Sequence, residues 1–214
     1  GAECDAAYEG VLLSRSVALL GSTIVDFYRC TSENEHTYDY ALHIDGKLAD
    51  STVALSEPAE GPISDKLGYV HLLSPRHGKT HGEQETLQFD SQGGRLKIDL
   101  LSAGDSELTI ATGHADLKDK TKEALLIRKK GKDANFIDVL SFPDREVWKE
   151  VTLLDDLPTG VLGVRLVAND GVEQWVISST KNKPFQLGGK AITGRMALLE
   201  KKPDGQPELI EQIQ

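Results

Sequence analysis

The stretch Glu35–Gly46 alternates apolar and polar side chains with a period of two, which is the spacing of a β-strand. One face of this strand would carry Tyr38, Tyr40, Leu42 and Ile44. The other face would carry Thr37, Asp39, Ala41 and His43. The first face suits a core, and the second places a carboxylate and an imidazole about 13 Å apart along the strand. Asp45-Gly46 then predicts a hairpin turn at its end.

Short β-type runs bounded by Gly, Asn and Asp continue along the chain, and no window of a dozen residues has a helical period. The other predicted strands are Val11–Leu20, Thr23–Arg29, Val53–Leu55, Gly68–Leu73, Glu83–Phe89, Arg95–Leu101, Leu108–Thr112, Glu123–Lys129, Asn135–Phe142, Val147–Leu154, Val161–Val167, Glu173–Ser178, Ala191–Leu199 and Pro207–Ile210. Turns are predicted at Ser91–Gly94, Lys130–Asp133, Pro143-Asp144, Asn169–Gly171 and Pro203–Gly205. This pattern predicts an all-β fold, an antiparallel β-sandwich of two large sheets with little or no helix.

The chain is predicted to divide near Pro143–Lys149. Residues 1–145 would form the main sandwich. Residues 146–214 would be either the outer strands of the same sandwich or a small C-terminal β unit.

Composition limits the class of protein. Of the 214 residues, 39% are apolar and 27% are charged, which predicts a folded chain with a sizeable core. The net charge of -10 argues against nonspecific nucleic-acid binding, and no apolar run is long enough for a membrane span. The chain begins Gly-Ala-Glu and has one Met, Met196, so we expect a segment of something longer. Cys4 and Cys30 allow either one disulfide or two buried thiols.

The histidines are the first candidates for chemistry. His43, with Asp39 or Asp5 near it, fits a metal ligand or an acid–base group, but also a half-buried His bonded to a backbone carbonyl. His71, His77 and His81 lie in a predicted loop that contains Pro75, Gly78 and Gly82. That loop suits a metal, plain solvation, or an anionic sugar contacted by Arg76, His77, Lys79 and His81.

A basic segment, Leu117–Lys132, carries seven positive and two negative residues. It fits the wall of a groove for a polyanion, with Arg128, Lys129 and Lys130 as candidate contacts. It fits equally a solvated strand rim whose lysines discourage edge pairing. Aromatic clusters suited to sugars look sparse, since Trp148 and Trp175 lie in strand-like runs where core packing is the default.

Several segments resemble, in order and spacing, the β-sandwich region of the heparinase II/III-like polysaccharide lyases. They are Tyr8-x-Gly10 running into Ser14–Leu20, Ile24-Val25-Asp26, Tyr38-Asp39-Tyr40-x-Leu42-His43 and Asn135–Leu140. In that family a helical toroid precedes the sandwich, and an acidic polysaccharide such as heparin or alginate is cut by β-elimination in the cleft between them. The toroid supplies most of the catalytic groups, and a His-Asn segment opening the sandwich supplies one more.

This chain has no toroid-like helical region and no His-Asn pair. The resemblance therefore implies a non-catalytic C-terminal β-sandwich fragment of a secreted or periplasmic bacterial lyase. Such a fragment would wall the substrate cleft and support the helical toroid. Some family members hold a structural zinc, and the resemblance implies Asp5 and His43 as two of its ligands. The alternatives are a free-standing carbohydrate-binding module and a structural docking domain.

Overall fold

The structure is a computed structural model that describes residues 1–82, 84–101, 104–114, 121–142, 148–180 and 184–213. Its regular elements are almost all strands, and one short 3₁₀ turn lies at Tyr69–His71. The strands are β1 (Ala2–Tyr8), β2 (Val11–Leu20), β3 (Thr23–Ile44), β4 (Gly46–Ser51), β5 (Leu73–Lys79), β6 (Gln84–Ser91), β7 (Gly94–Leu101), β8 (Glu107–His114), β9 (Thr121–Ser141), β10 (Trp148–Leu153), β11 (Val161–Ala168), β12 (Glu173–Ser179), β13 (Phe185–Leu187), β14 (Lys190–Ile192), β15 (Met196–Lys201) and β16 (Glu208–Ile213). All pairings between them are antiparallel, so the predicted all-β antiparallel sandwich is confirmed. Within these residues, no helix has the length and hydropathy to cross a bilayer.

Two very long strands organise the first sheet. β3 and β9 pair from Ile24 opposite Leu140 to Ile44 opposite Glu123, with a bulge between Thr31 and His36. β2 extends the sheet beside the first half of β3, whereas β7 and β8 pair with opposite halves of β9. The sequence predicted two strands in each of these regions and a turn at Lys130–Asp133, and this was wrong. The extra residues of β3 are absorbed in the bulge, so the ladder resumes at His36 opposite Gly131.

The bulge folds this sheet back on itself. The rings of Tyr28 and Tyr40, which lie on either side of the bulge, are 5.8 Å apart. The two halves of the β3–β9 pair therefore face each other across a core that includes Phe89, Leu100 and Phe136. The alternation predicted from Glu35–Gly46 is confirmed, since Tyr38, Tyr40 and Ile44 are buried in this core.

A second sheet, in the order β10-β11-β12-β15-β16, packs on the outside of the first halves of β3 and β9. Its Val164, Leu166 and Val176 share a core with Val25 and Phe27 of β3. Arg29 of β3 adds hydrogen bonds of 2.9 Å to the Ser178 hydroxyl and 2.8 Å to the Ser178 carbonyl oxygen. The predicted turns at Asn169–Gly171 and Pro203–Gly205 connect strands of this sheet as expected. Residues 143–147, with the predicted Pro143-Asp144 turn and most of the predicted division, lie outside the described residues.

Several local predictions were wrong. The predicted strand Gly68–Leu73 is mainly a 3₁₀ turn at Tyr69–His71, and the predicted strand Ala191–Leu199 is interrupted between β14 and β15. Asp45-Gly46 does not form a hairpin, because β4 leaves β3 and pairs with β6. The glycine at position 46 permits the close approach of β4 to β6, since a Cβ atom there would lie 2.8 Å from the carbonyl oxygen of Asp90. Val53–Leu55 is not a strand, and the predicted loop around His77 is strand β5, paired with β8.

Candidate functional site

The basic residues singled out in the sequence fall on strands whose charges alternate in sign. Lys79, Glu107, Arg128 and Asp39 lie opposite one another in a row across β5, β8, β9 and β3. The guanidinium of Arg128 donates two hydrogen bonds of 2.7 Å to the carboxylate of Asp39. Neighbouring charges in this row are therefore opposite, which weakens it as a contact surface for a polyanion.

Lys129 and Lys130 point to opposite faces of β9. The ammonium of Lys129 turns inward and lies 5.2 Å from the ring centroid of Phe136. It donates a hydrogen bond of 2.6 Å to the carbonyl oxygen of Asn135. Burial lowers the pKa of Lys129 to about 8, although the charge of Asp138 acts against this. Lys130 is exposed and lies opposite Thr37. The predicted basic residues Lys118 and Lys120 lie outside the described residues.

The residues of the predicted His loop do not converge on one point. Arg76 lies 3.4 Å from the Ser56 carbonyl oxygen, and His77 Nδ1 lies 3.0 Å from the Thr109 hydroxyl. His81 lies 4.0 Å from the carboxylate of Asp105, and both side chains are largely exposed. Lys79 is exposed on the same edge strand as His77.

Asp5 and His43 are not brought together as zinc ligands. Asp5 shares a shallow hollow with Thr31 and Ser32, at the bulge of β3. His43 lies near the far end of β3, seven residues beyond His36 and thus about 23 Å along the strand. In the part of the chain that the structure describes, no three His, Cys, Asp or Glu side chains gather around a metal position. The residue pair implied by the resemblance therefore does not fit one zinc ion.

The two cysteines are separate thiols, with Cys4 exposed and Cys30 buried. Cys4 of β1 lies opposite Leu13 of β2, which lies opposite Cys30 of β3. Two strand spacings, about 10 Å, exceed the reach of a disulfide.

A cleft at the fold-back of β3 is the feature that the sequence did not predict. Four of the five tyrosines line it. Its complete lining among the described residues is Tyr8, Val11, Leu13, Tyr28, Cys30, His36, Thr37, Tyr38, Asp39 and Tyr69. We call this the tyrosine cleft; its volume is about 310 Å³. The sequence suggested that aromatic clusters suited to sugars are sparse, whereas this cleft brings four tyrosines together.

Each tyrosine reaches the cleft from a different segment. Tyr8 ends β1 and is 66% exposed, and Tyr28 comes from the first half of β3. Tyr38 comes from the second half of β3 and donates a 3.0 Å hydrogen bond to the carbonyl oxygen of Lys132. Tyr69 comes from the 3₁₀ turn, and its hydroxyl donates to the carboxylate of Asp39.

The electrostatics of the cleft are set by Asp39. Burial acts to raise its pKa, but the hydrogen bonds from Arg128 and Tyr69 outweigh burial and hold the pKa below the ordinary value. Asp39 is therefore an ionised hydrogen-bond acceptor at neutral pH. Burial raises the pKa of Tyr28 to about 12, so this phenol stays neutral and keeps its proton for donation.

The second half of β3 also offers backbone groups to the cleft. Residues 36–44 pair with β9 on one side, and on the other side no described strand pairs with them. An unpaired edge presents N–H and C=O groups that hydrogen-bond to a ligand or to water. The cleft thus combines aromatic rings, hydroxyl groups, a carboxylate and a strand edge.

A buried ionic cluster lies beneath the cleft. Asp26 and Asp138 are cross-strand neighbours, both buried, and the Tyr40 hydroxyl donates a 2.9 Å hydrogen bond to Asp26. Arg15 donates from Nη2 to the same carboxylate at 2.5 Å. Burial raises the pKa of Asp138 to about 7. The Tyr40 ring lies 5.8 Å from that of the lining residue Tyr28, so the cluster is connected to the cleft through this ring contact.

The period-two pattern correctly indicated which residues share a face of β3. It could not indicate the fold-back that brings Tyr28 and Tyr38 to one cleft, since that depends on the bulge and on pairing with distant β9. In comparisons with known proteins, no family model matches this chain and no curated protein matches it.

Proposed function

We propose that this chain is the β-sandwich part of a secreted or periplasmic polysaccharide lyase of the heparinase II/III type. In this proposal it binds an acidic polysaccharide and leaves the elimination reaction to a helical toroid domain. The observation that carries the proposal is the convergence of Tyr8, Tyr28, Tyr38 and Tyr69 on one cleft.

Such a cleft suits a sugar for physical reasons. The C–H groups of a pyranose ring form an apolar face that packs on an aromatic ring, while its hydroxyl groups need hydrogen-bond partners. Tyrosine supplies both, because it has an apolar ring and a polar tip. Ligand sites commonly combine apolar walls with a few placed polar groups, as Val11 and Leu13 do here with Asp39 and Thr37.

Positive charges border the cleft and suit the acidic groups of a polysaccharide. Lys130 is exposed opposite Thr37, and Lys66 is exposed and close enough to lower the pKa of Asp39. Among the candidates from the sequence, Arg76, His77, Lys79 and His81 lie further out on β5 and the turn after it. They would contact a chain that extends beyond the cleft.

An apolar groove away from the cleft is the surface that, in this proposal, contacts the helical toroid domain. It lies between β2 and β16 and has a volume of about 220 Å³. Leu19, in its lining, is 70% exposed, and Val17 and Ile213 are about half exposed. Exposed apolar surface of this kind suits contact with another domain.

The test is calorimetric titration with heparin and alginate oligosaccharides, of which at least one should bind. We expect binding that Tyr8→Ala weakens by roughly 2- to 10-fold, the effect of losing about 0.5–1.5 kcal/mol of aromatic packing. Ile210→Ala is the matched control, because Ile210 is 54% exposed and lies outside the cleft. Equal loss in both variants, or no binding at all, would contradict the proposal.

The non-catalytic part has its own test. Incubating the chain with the same polysaccharides should produce no ultraviolet absorbance from unsaturated uronate. A steady rise in that absorbance would show that the chain itself performs elimination.

A further inference from the structure

The charge inside the tyrosine cleft differs from the charge at its border. Among the described lining residues, Asp39 is the only carboxylate, and His36 is the only basic side chain. Arg128 contacts two lining residues, since it donates two hydrogen bonds to Asp39 and also interacts with the hydroxyl of Tyr69, and its charge offsets that of Asp39. Lys129, whose ammonium lies over the ring of Phe136, is not among the described lining residues. The paired charges of Asp39 and Arg128 therefore leave no net positive charge inside the cleft to attract an anionic sugar group.

We propose that the tyrosine cleft holds an uncharged pyranose residue of the polysaccharide and that Asp39 accepts hydrogen bonds from its hydroxyl groups. This inference rests on the proposed function and specifies which part of the polymer enters the site. The acidic residues on either side would lie outside, near Lys130 and Lys66.

Asp39 has acceptor capacity left for this role. A carboxylate has about four acceptor positions. Arg128 uses one on each oxygen, and Tyr69 uses one more on Oδ2. Oδ1 thus keeps a position for a hydroxyl donor. The side chain of Asp39 is only 15% exposed, which strengthens a hydrogen bond to it and makes the approach of another anion costly.

The size of the cleft agrees with a single sugar residue. Its 310 Å³ lies at the lower end of the range for ligand pockets, about 300–1,000 Å³. Three of its four tyrosines are held in place. Tyr28 packs 6.0 Å from Phe136 and 5.8 Å from Tyr40, while the hydroxyls of Tyr38 and Tyr69 donate hydrogen bonds to Lys132 and Asp39. A preformed site of this kind loses little conformational entropy on binding.

The experiment compares three oligosaccharides of equal length by calorimetric titration at low and at physiological salt. The first is a neutral chitin oligosaccharide, the second a hyaluronan oligosaccharide that alternates uncharged and acidic residues, and the third a polyguluronate. We expect the first two to bind and the polyuronate to bind at least roughly tenfold more weakly, with Tyr8→Ala weakening the first two. The affinity for the neutral probe should change little with salt, since it involves no ion release.

The Asp39→Asn variant distinguishes an uncharged sugar residue in the cleft from an acidic one. It removes the negative charge but keeps the shape, so we expect weaker binding of the neutral probe and stronger binding of the polyuronate. A melting curve checks that the variant folds. If it does not fold, the inference is still tested by the native chain, through its relative affinities for the three probes and the effect of salt on them.

Two failures can be told apart. Tight polyuronate binding that is lost in Tyr8→Ala and falls steeply with salt would overturn this inference and leave the proposed function standing. Absence of binding to all three probes, or binding unaffected by Tyr8→Ala, would overturn the proposed function and this inference with it.

Discussion

The hydroxyl of Tyr40 hydrogen-bonds at 2.9 Å to Asp26, fourteen residues earlier on the same strand. On a straight strand these residues would lie about 46 Å apart. The contact exists because β3 folds back at the bulge between Thr31 and His36, and β9 folds with it. This hydrogen bond thus connects the two halves of β3, which face each other across the first core.

Replacing Tyr40 by Phe should destabilise the fold by about 1–3 kcal/mol. The change removes the hydroxyl that satisfies a buried carboxylate but keeps the ring on Phe136. Urea denaturation measures the loss as a lower transition midpoint. Tyr8→Phe is the control, since Tyr8 is largely exposed and should show no loss. Equal midpoints for Tyr40→Phe and the native chain would mean that this bond contributes nothing to the fold-back.

The stability of the protein should depend on pH through Asp138. Burial, aided by the charge of Asp26, raises its folded pKa from 3.8 to about 7, while Tyr40, Lys129 and Arg15 act in the opposite direction. Because the folded pKa is the higher one, this contribution to stability is full below about pH 4 and is lost as the pH rises through about 7. Asp138→Asn should flatten this decline in the free energy of unfolding measured by denaturant titration between pH 4 and 7.

Lys129 acts in a separate pH range. Its folded pKa of about 8 is below the ordinary 10.5, so its contribution to stability is full above about 10.5 and is lost as the pH falls through about 8.

For the Asp138 prediction, a slope in stability between pH 4 and 7 that persists unchanged in Asp138→Asn would assign the effect to other carboxyl groups.

The two thiols should differ sharply in reactivity. Cys4 is exposed, whereas Cys30 is buried and burial raises its pKa to about 11. A disulfide reagent at neutral pH should label one thiol at once and the second only after denaturation. Cys4→Ser should abolish the fast phase. Finding no reactive thiol in the denatured, unreduced chain would instead indicate a disulfide.

Gly46→Ala should destabilise the protein by about 1–3 kcal/mol through overpacking. Its Cβ would lie 2.8 Å from the Asp90 carbonyl oxygen, a backbone atom of the paired strand that has little freedom to move. Gly93→Ala, in the turn between β6 and β7, is a matched control because its Cβ would meet nothing closer than 3.8 Å. Melting temperatures compare the two, and equal shifts would show that the close approach at Gly46 is not limiting.

The sequence predicted what depends on local spacing. The period of two placed Tyr38 and Tyr40 in the core and Asp39 on the opposite face, and the glycines placed the turns at Ser91–Gly94 and Asn169–Gly171. The fold-back could not be predicted, since the run Lys130–Asp133 has the composition of a turn and becomes part of a strand only through its partner β3. The tyrosine cleft was missed for the same reason.

The β3–β9 pair forms part of both walls of the first core. Neither wall can be removed as an independent unit, because each contains half of the same two strands. We therefore expect this region to unfold in a single cooperative step, and any widening of the space between its walls must take place at the hinge residues 32–35.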